Sequence, residues 1–194
     1  MHDFQIISFP QTLEAIMRDT ERIGFTMGSE PPTGTVLRAL AAAKPGGRLL
    51  ELGTGTGIGT AWLLAGMDES SRLESVDSDP DAQEVARRHL GDDRRITFHL
   101  KDAATFLEQP HPHGFDLIFA DAWPGKFPQR DLALSHLRIG GIYVIDDLLP
   151  QPNWPEGHAE RVTALIADLE SRPEFLTVKL AWASGLMIAV RREV

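Results

Sequence analysis

Apolar positions along the chain switch repeatedly between two periods, one near two and one near four. Arg48–Leu52, Arg72–Asp77, Arg95–Leu100, Phe115–Ala120 and Ile142–Ile145 are short apolar or alternating runs and predict strands. Helical spacing fills the stretches between them. Residues 11–24, entered through Phe9-Pro10, set Leu13, Ile16, Met17, Thr20 and Ile23 on one face. A loop over residues 26–34 leads to a helix from about Thr35, with Val36, Leu37, Leu40 and Ala41 apolar, which Lys44-Pro45-Gly46-Gly47 stops. Another helix opens at Ile58 and carries Trp62, Leu63 and Leu64. Asp79-Pro80 reads as an N-cap and first helical residue, with Ala82, Val85, Ala86 and Leu90 inward and Gly91 at the end. A short helix runs through Phe106-Leu107, and another covers about Gln129 to Leu137 before Gly140-Gly141. The last, Glu156 to about Ser171, turns Val162, Leu165, Ile166 and Leu169 inward. Trp123 to Phe127 and the Pro-rich stretch Pro150 to Pro155 read as irregular loops.

The ending differs in kind. Phe175–Trp182 and Leu186–Val190 are two β runs joined by Ala183-Ser184-Gly185, close enough for a hairpin. Strand–helix alternation followed by a hairpin predicts an α/β, Rossmann-like doubly wound sheet, mostly parallel with an antiparallel C-terminal pair. We read one domain over residues 1–194, with 1–45 as an N-terminal helical cap.

The chemistry starts where the first strand ends. Glu51-Leu52-Gly53-Thr54-Gly55-Thr56-Gly57 is a strand, a glycine turn and a helix start, which turns backbone N–H groups toward a ligand. The dinucleotide fingerprint G-x-G-x-x-G is not met: the sixth position is Ile58 counted from Gly53 and Thr60 counted from Gly55. A carboxylate at Glu51 repels a pyrophosphate and suits a sulfonium, which favours S-adenosylmethionine over NAD; a bare βα turn is the bland reading. Asp77 ends the second strand 24 residues beyond Gly53, the register of an acid that accepts both hydroxyls of a ribose. Its alternative is a solvated turn carboxylate. Asp102 either takes an adenine amine or caps the following helix, and both roles are compatible. Asp121, Asp146 and Asp147 all stand at C-terminal strand ends, the ligand-binding edge of open α/β sheets. His111 and His113 lack a third ligand and read as a solvated loop.

Composition narrows the partners. A formal net charge of −9 argues against broad phosphate-backbone binding, though Arg87-Arg88 and Arg94-Arg95 are small basic clusters. With no Cys, disulfides and thiolate chemistry are excluded. No apolar run approaches a membrane span, and the N-terminus lacks a basic-then-apolar signal, so a cytoplasmic location is expected.

Taken in order, Glu51-Leu-Gly-Thr-Gly-Thr-Gly57, Ser75-Val-Asp77, Asp102-Ala103, Asp116-Leu-Ile-Phe-Ala-Asp121, and Gly140-Gly141 ahead of Asp146-Asp147 resemble class I S-adenosylmethionine methyltransferases. They are most similar to the catechol and caffeoyl-coenzyme-A O-methyltransferases, from about Met27 to the final hairpin. The resemblance implies a seven-stranded sheet with its last strand antiparallel. It implies a cofactor held by Met27, Glu51, Gly53, Thr54, Gly55, Gly57, Thr60, Asp77, Ser78, Asp102, Ala103 and Asp121. It also implies magnesium or another divalent metal at Asp121, Asp146 and Asp147, with Asp121 and Lys126 catalytic, the lysine helping to deprotonate a hydroxyl. The chain departs from the pattern twice. Asp147 stands where the family has Asn, and Lys126 lies five residues past Asp121 where the family has three. Trp123 is a wall for a flat substrate or loop packing. The implied activity is O-methylation of a small hydroxylated, aromatic molecule. Methylation of a modified uridine in tRNA, an NAD(P)-dependent oxidation and cofactor binding without turnover are the alternatives. A homodimer through the N-terminal helix is expected from similar proteins, although any docked helix shows such a stripe.

Overall fold

The computed structural model describes residues 8–152 and 154–194. The start of the expected N-terminal cap, residues 1–7, and Asn153 of the Pro-rich loop lie outside them. The elements are α1 (Leu13–Arg22), α2 (Pro31–Ala42), β1 (Arg48–Leu52), α3 (Ile58–Gly66), β2 (Arg72–Asp77), α4 (Pro80–Leu90), β3 (Ile96–Leu100) and α5 (Ala103–Leu107), followed by β4 (Phe115–Ala120), the short turn α6 (Trp123–Lys126), α7 (Arg130–Ser135), β5 (Leu137–Ile145), α8 (His158–Ser171), β6 (Phe175–Leu180) and β7 (Leu186–Arg191).

The seven strands form one sheet in the order β3-β2-β1-β4-β5-β7-β6. Strands β1 to β5 are parallel, and β7 runs antiparallel to both β5 and β6, as the alternation and the hairpin predict. Residues Leu117 to Ala120 of β4 are fully buried, which suits a central strand covered on both faces. One layer packs Leu13, Ile16, Leu37, Trp62, Leu63 and Val85 of α1 to α4 against one face. The other packs Phe106, Leu134, Val162, Leu165 and Leu169 of α5, α7 and α8 against the opposite face.

The chain order reverses between β1 and β4, so a cleft opens at their C-terminal ends. Register decides what meets there. Leu52 pairs with Ala120, and Ala120 pairs with Ile145. The residues that follow each strand, Gly53, Asp121 and Asp146, therefore stand side by side at the switch point.

Some boundaries differ from the expected ones. Helix α2 starts at Pro31, not Thr35: Pro31 and Pro32 occupy the first turn, where a missing N–H is harmless. Strand β5 starts at Leu137 and runs through Gly140-Gly141, which therefore do not end a helix; a register shift against β4 between Phe115 and Leu117 absorbs them. Strand β6 stops at Leu180, and Trp182 turns to donate its indole N–H to the Pro32 carbonyl at 2.9 Å. On α1, Leu13, Ile16 and Thr20 are buried, whereas Met17 and Ile23 face outward.

Helices α2 and α3 meet at Gly34, where an added Cβ would lie 2.2–2.4 Å from the fully buried Trp62 ring. Gly34→Ala isolates the packing effect, because the helical backbone tolerates Ala and propensity favours it by ~1 kcal/mol. Overpacking outweighs that gain, and we expect a net loss of ~3 kcal/mol in urea unfolding with the m-value unchanged.

Candidate active site

The glycine turn is shaped by contacts that exclude a side chain. Gly53 sits at φ 101°, where a Cβ would come within 2.9 Å of the Asp121 carbonyl. Its N–H donates to the Val76 carbonyl, and the Asp121 N–H donates to the Leu52 carbonyl, both at 2.9 Å. Gly57, at φ 92°, caps α3 and lies against Ala86, a contact that lets α3 and α4 approach. Between them, the Gly55 N–H donates to Asp77 Oδ2 at 2.7 Å, while Asp77 Oδ1 accepts from the Asp79 N–H at 2.9 Å. One carboxylate thus ties the glycine turn to the start of α4.

A cavity of about 340 Å³ lies over this turn. Met27, Gly53, Thr54, Gly55, Asp77, Ser78, Asp102, Ala103 and Asp121, all among the expected cofactor residues, line it. Asp102 also caps α5, accepting from the Thr105 N–H at 3.0 Å, so both of its expected roles are compatible. Asp79 lines the cavity and caps α4 through the N–H groups of Asp81 and Ala82.

Glu51, Gly57 and Thr60 do not line it. Glu51 is completely buried behind the turn, where Thr60 and Ser75 hydroxyls donate to Oε2. Its Oε1 has no partner. Burial pushes its carboxyl up to about 8, with the two hydroxyls opposing the shift. Burial thus opposes ionisation of Glu51, which sits behind the turn and not on the cavity wall. Strand alternation explains this: Glu51 points to the sheet face that α3 covers.

A second cavity of about 310 Å³ adjoins the first and shares Met27, Gly28, Ser29, Asp121, Ala122 and Trp123 with it. Asp121 stands at the junction and accepts from Ser29 Oγ at 3.1 Å. Burial, then the charge of Asp146, hold the Asp121 carboxyl well above the usual range, against the opposing pull of Lys126. Asp146, 2% exposed, is raised mainly by burial, although the Ser184 hydroxyl and the Asp147 N–H donate to it.

Sequence reasoning missed the far wall of this cavity. His158, at the first turn of α8, is 4% exposed, and neither ring nitrogen has a hydrogen-bond partner. Trp154, Phe127 and Trp123 surround it at centroid distances of 4.5, 5.3 and 5.8 Å. Burial lowers the His158 pKa, and the charge of Lys126 adds to the effect. The Pro-rich loop carries no period, so no spacing signal says where Trp154 and His158 would point. Of the two histidines noted in the sequence, His111 is not solvated as expected but packs against Phe106, Phe115 and His136, away from this cleft.

The residues proposed as metal ligands do not form a ligand set. Among the described residues, no three His, Cys, Asp or Glu side chains are grouped so that they could hold one ion. Asp147 adopts a left-handed backbone, φ 60°, and both of its carboxylate oxygens accept from Trp154 Nε1, at 3.0 and 3.1 Å. Lys126 Nζ lies 3.8 Å from Asp147 Oδ2 and 3.5 Å from the Asp147 carbonyl. Hard divalent ions need several oxygens with free lone pairs. Here indole, hydroxyl, amide and ammonium donors already face the acids, so the donor set does not fit a divalent ion.

The comparisons agree with this architecture. Residues 50–148 match the family described as a methyltransferase domain. A Mycolicibacterium smegmatis protein assigned to the O-methyltransferases is 31% identical over 83% of this chain and 81% of its own length. A Mycobacterium marinum protein with the same assignment is 30% identical over 83% and 76%. Among solved structures, the O-methyltransferase TomG of Streptomyces achromogenes, involved in tomaymycin synthesis and in complex with SAM, superposes with a TM-score of 0.81 at 21% identity, covering 97% of this chain and 92% of that one. The O-methyltransferase of Bacillus cereus in complex with SAH gives 0.84 at 20% identity, covering 96% and 93%. Sequence relatives and sheet order point the same way: the chain belongs to the class I S-adenosylmethionine-dependent methyltransferases, among their O-methyltransferases.

Proposed function

We propose that this chain moves the methyl group of S-adenosylmethionine onto a hydroxyl oxygen of a small, flat, aromatic molecule. One observation carries the reading: a cavity over the glycine turn opens directly into an aromatic-walled one, and Asp121 stands where they join. The bound SAM and SAH of the TomG and Bacillus cereus structures support the cofactor assignment.

The chemistry is an in-line displacement. An oxygen lone pair attacks the methyl carbon, the carbon–sulfur bond breaks toward sulfur, and the sulfonium becomes a neutral thioether. No anion forms on the leaving group, so the protein has to align the partners and help the hydroxyl lose its proton. Alignment in well-oriented systems contributes ~7–11 kcal/mol. Asp77 would hold the ribose and Asp102 the adenine amine. Asp121, whose carboxyl burial and the Asp146 charge hold well above its ordinary range, would take the hydroxyl proton.

A small-molecule substrate suits this surface better than RNA. The basic clusters are already engaged: Arg88 pairs with Asp19, Arg94 with Glu69, and Arg95 with Asp93, while Arg87 donates to Gln83 and the Phe98 carbonyl. Little of their charge is left for a phosphate backbone.

The test is calorimetry with S-adenosylmethionine and S-adenosylhomocysteine, followed by transfer to a panel of hydroxylated aromatics. Trp154 lines the second cavity and not the first. Trp154→Ala is expected to raise the acceptor KM roughly tenfold and to leave cofactor affinity unchanged. A matching loss of cofactor affinity, or no heat for either compound, would refute the assignment of the two cavities.

A further inference from the structure

We infer that the Lys126 ammonium takes the place of a divalent cation in this chain, holding a single ionised substrate oxygen, so that methyl transfer runs without a metal on a lone acidic hydroxyl such as a phenol. The inference rests on the methyltransferase reading above and adds the substrate class.

The chain departs from the O-methyltransferase pattern at two positions far apart in sequence, and the fold brings them together. Asp147 has replaced an expected Asn, and Lys126 comes two residues later than expected. In space, the Lys126 ammonium lies 3.8 Å from the Asp147 carboxylate. A buried ammonium needs facing carboxylates, and Asp147 adds one to the acids Asp121 and Asp146 that share its cavity.

The chain between Asp121 and Lys126 is built to bring the lysine inward. Pro124 is extended, and Gly125 turns back at φ 93°. A Cβ on Gly125 would lie 2.4 Å from Leu52 Cδ1, so the turn passes where only glycine fits. The Gly125 N–H donates to the Pro128 carbonyl at 2.7 Å, and the buried Tyr143 hydroxyl donates to the Gly125 carbonyl. This anchored turn leaves Lys126 5% exposed, yet lining the second cavity beside Asp121, Asp146 and Asp147.

The chemistry follows from what an ammonium is. It is a compact point charge with three N–H donors. The Asp147 carbonyl and carboxylate engage one side of it, which leaves donors for an oxygen in the cavity. A divalent ion can chelate two neighbouring hydroxyls and acidify them strongly. An ammonium holds one oxygen and acidifies it less, so it suits a hydroxyl that ionises readily by itself. The phenol gives its proton to Asp121, which lines the same cavity, and the phenolate oxygen rests against Lys126. An oxygen lone pair then bonds to the methyl carbon as the carbon–sulfur electron pair goes to sulfur.

The experiment combines manganese binding with turnover. Mn2+ titrated into the wild-type protein under electron paramagnetic resonance is expected to stay free at about 1 mM, within the range of weak protein sites. With S-adenosylmethionine, transfer to monohydroxy phenols should be unchanged by EDTA or added Mg2+ and should exceed transfer to catechols and aliphatic alcohols. Lys126→Met is expected to lower transfer about a hundredfold while calorimetric affinity for the cofactor holds. Lys126→Arg, which keeps the charge, should recover part of the loss and guards against a folding defect in the first variant. Mn2+ binding well below ~1 mM by the wild type, loss of activity in EDTA restored by Mg2+, or full activity in Lys126→Met would each overturn the inference. A protein that gives no heat with S-adenosylmethionine would instead fail the methyltransferase reading.

Discussion

Asp77→Ala is expected to weaken S-adenosylmethionine binding by about a hundredfold or more, the largest loss of any single cofactor-side substitution. The magnitude follows from charge-assisted hydrogen bonds. Each such bond to a carboxylate is worth about 1.5–3 kcal/mol, and a ribose presents two hydroxyls to one acid, so ~3 kcal/mol is a lower figure for the pair. The same carboxylate fixes the glycine turn through the Gly55 N–H and the start of α4 through the Asp79 N–H. Removing it therefore costs preorganisation as well as contacts. Asp79 supplies the control. Its side chain caps α4, and its loss should cost ~1 kcal/mol of stability with cofactor affinity nearly intact. Calorimetry on the two variants separates a ligand-binding acid from a cap. Equal affinities for both would return Asp77 to a turn carboxylate.

Why Asp77 was legible in the sequence and Trp154 was not is a matter of what fixes a side chain's direction. Asp77 ends a strand whose period sets its face, and it stands at a fixed interval from a turn that only glycines can make. The same logic made Gly53, Asp102 and Asp121 legible: each follows a strand, and sheet register alone brings Leu52, Ala120 and Ile145 level. The hairpin that closes the sheet was legible from its spacing. Legibility failed where no period operates. Trp154 lies within a Pro-punctuated loop and His158 just after it, and the direction of the His158 ring depends on packing against Trp123, Phe127 and Trp154. Gly140-Gly141 looked like a helix end because a glycine pair is the usual stop. Only the register shift against Phe115 reveals them inside a strand.

Lys126 and Asp147 show a third case. Each was visible as a departure from a family pattern, but spacing could not say that the two lie side by side. That needs the turn at Gly125 and the left-handed backbone at Asp147, which bring an ammonium and a carboxylate within 3.8 Å. The aromatic wall and the charged floor then divide the work in the proposed reaction. Trp123 and Trp154 would hold a flat ring, while the floor would hold its oxygen.

Glu51→Gln is expected to change the pH dependence of stability by several kcal/mol between pH 5 and pH 8, about 1.4 kcal/mol per pH unit. Glu51 has no exposed surface, and its carboxyl is pushed from 4.5 up to about 8 by burial. Below pH 4.5 both folded and unfolded chains hold the proton, so the group contributes no slope. Between 4.5 and 8 the unfolded chain releases the proton and the folded chain keeps it, so stability falls as pH rises, by ~1.4 kcal/mol per pH unit. Above 8 the folded group also ionises, and the slope ends. Glutamine cannot ionise and removes this contribution. The stability of Glu51→Gln relative to wild type should therefore climb by ~4 kcal/mol between pH 5 and pH 8. A constant offset is also expected, since an amide would place N–H groups where Oε1 has no partner and where Gly59 comes close. That offset is independent of pH and cancels in the comparison. Urea unfolding of both proteins across this range measures the difference. Parallel curves would mean that Glu51 is already ionised in the folded chain, with Thr60 and Ser75 sufficient to hold a buried charge. The carboxylate would then regain the electrostatic role toward a sulfonium that its position on β1 first suggested.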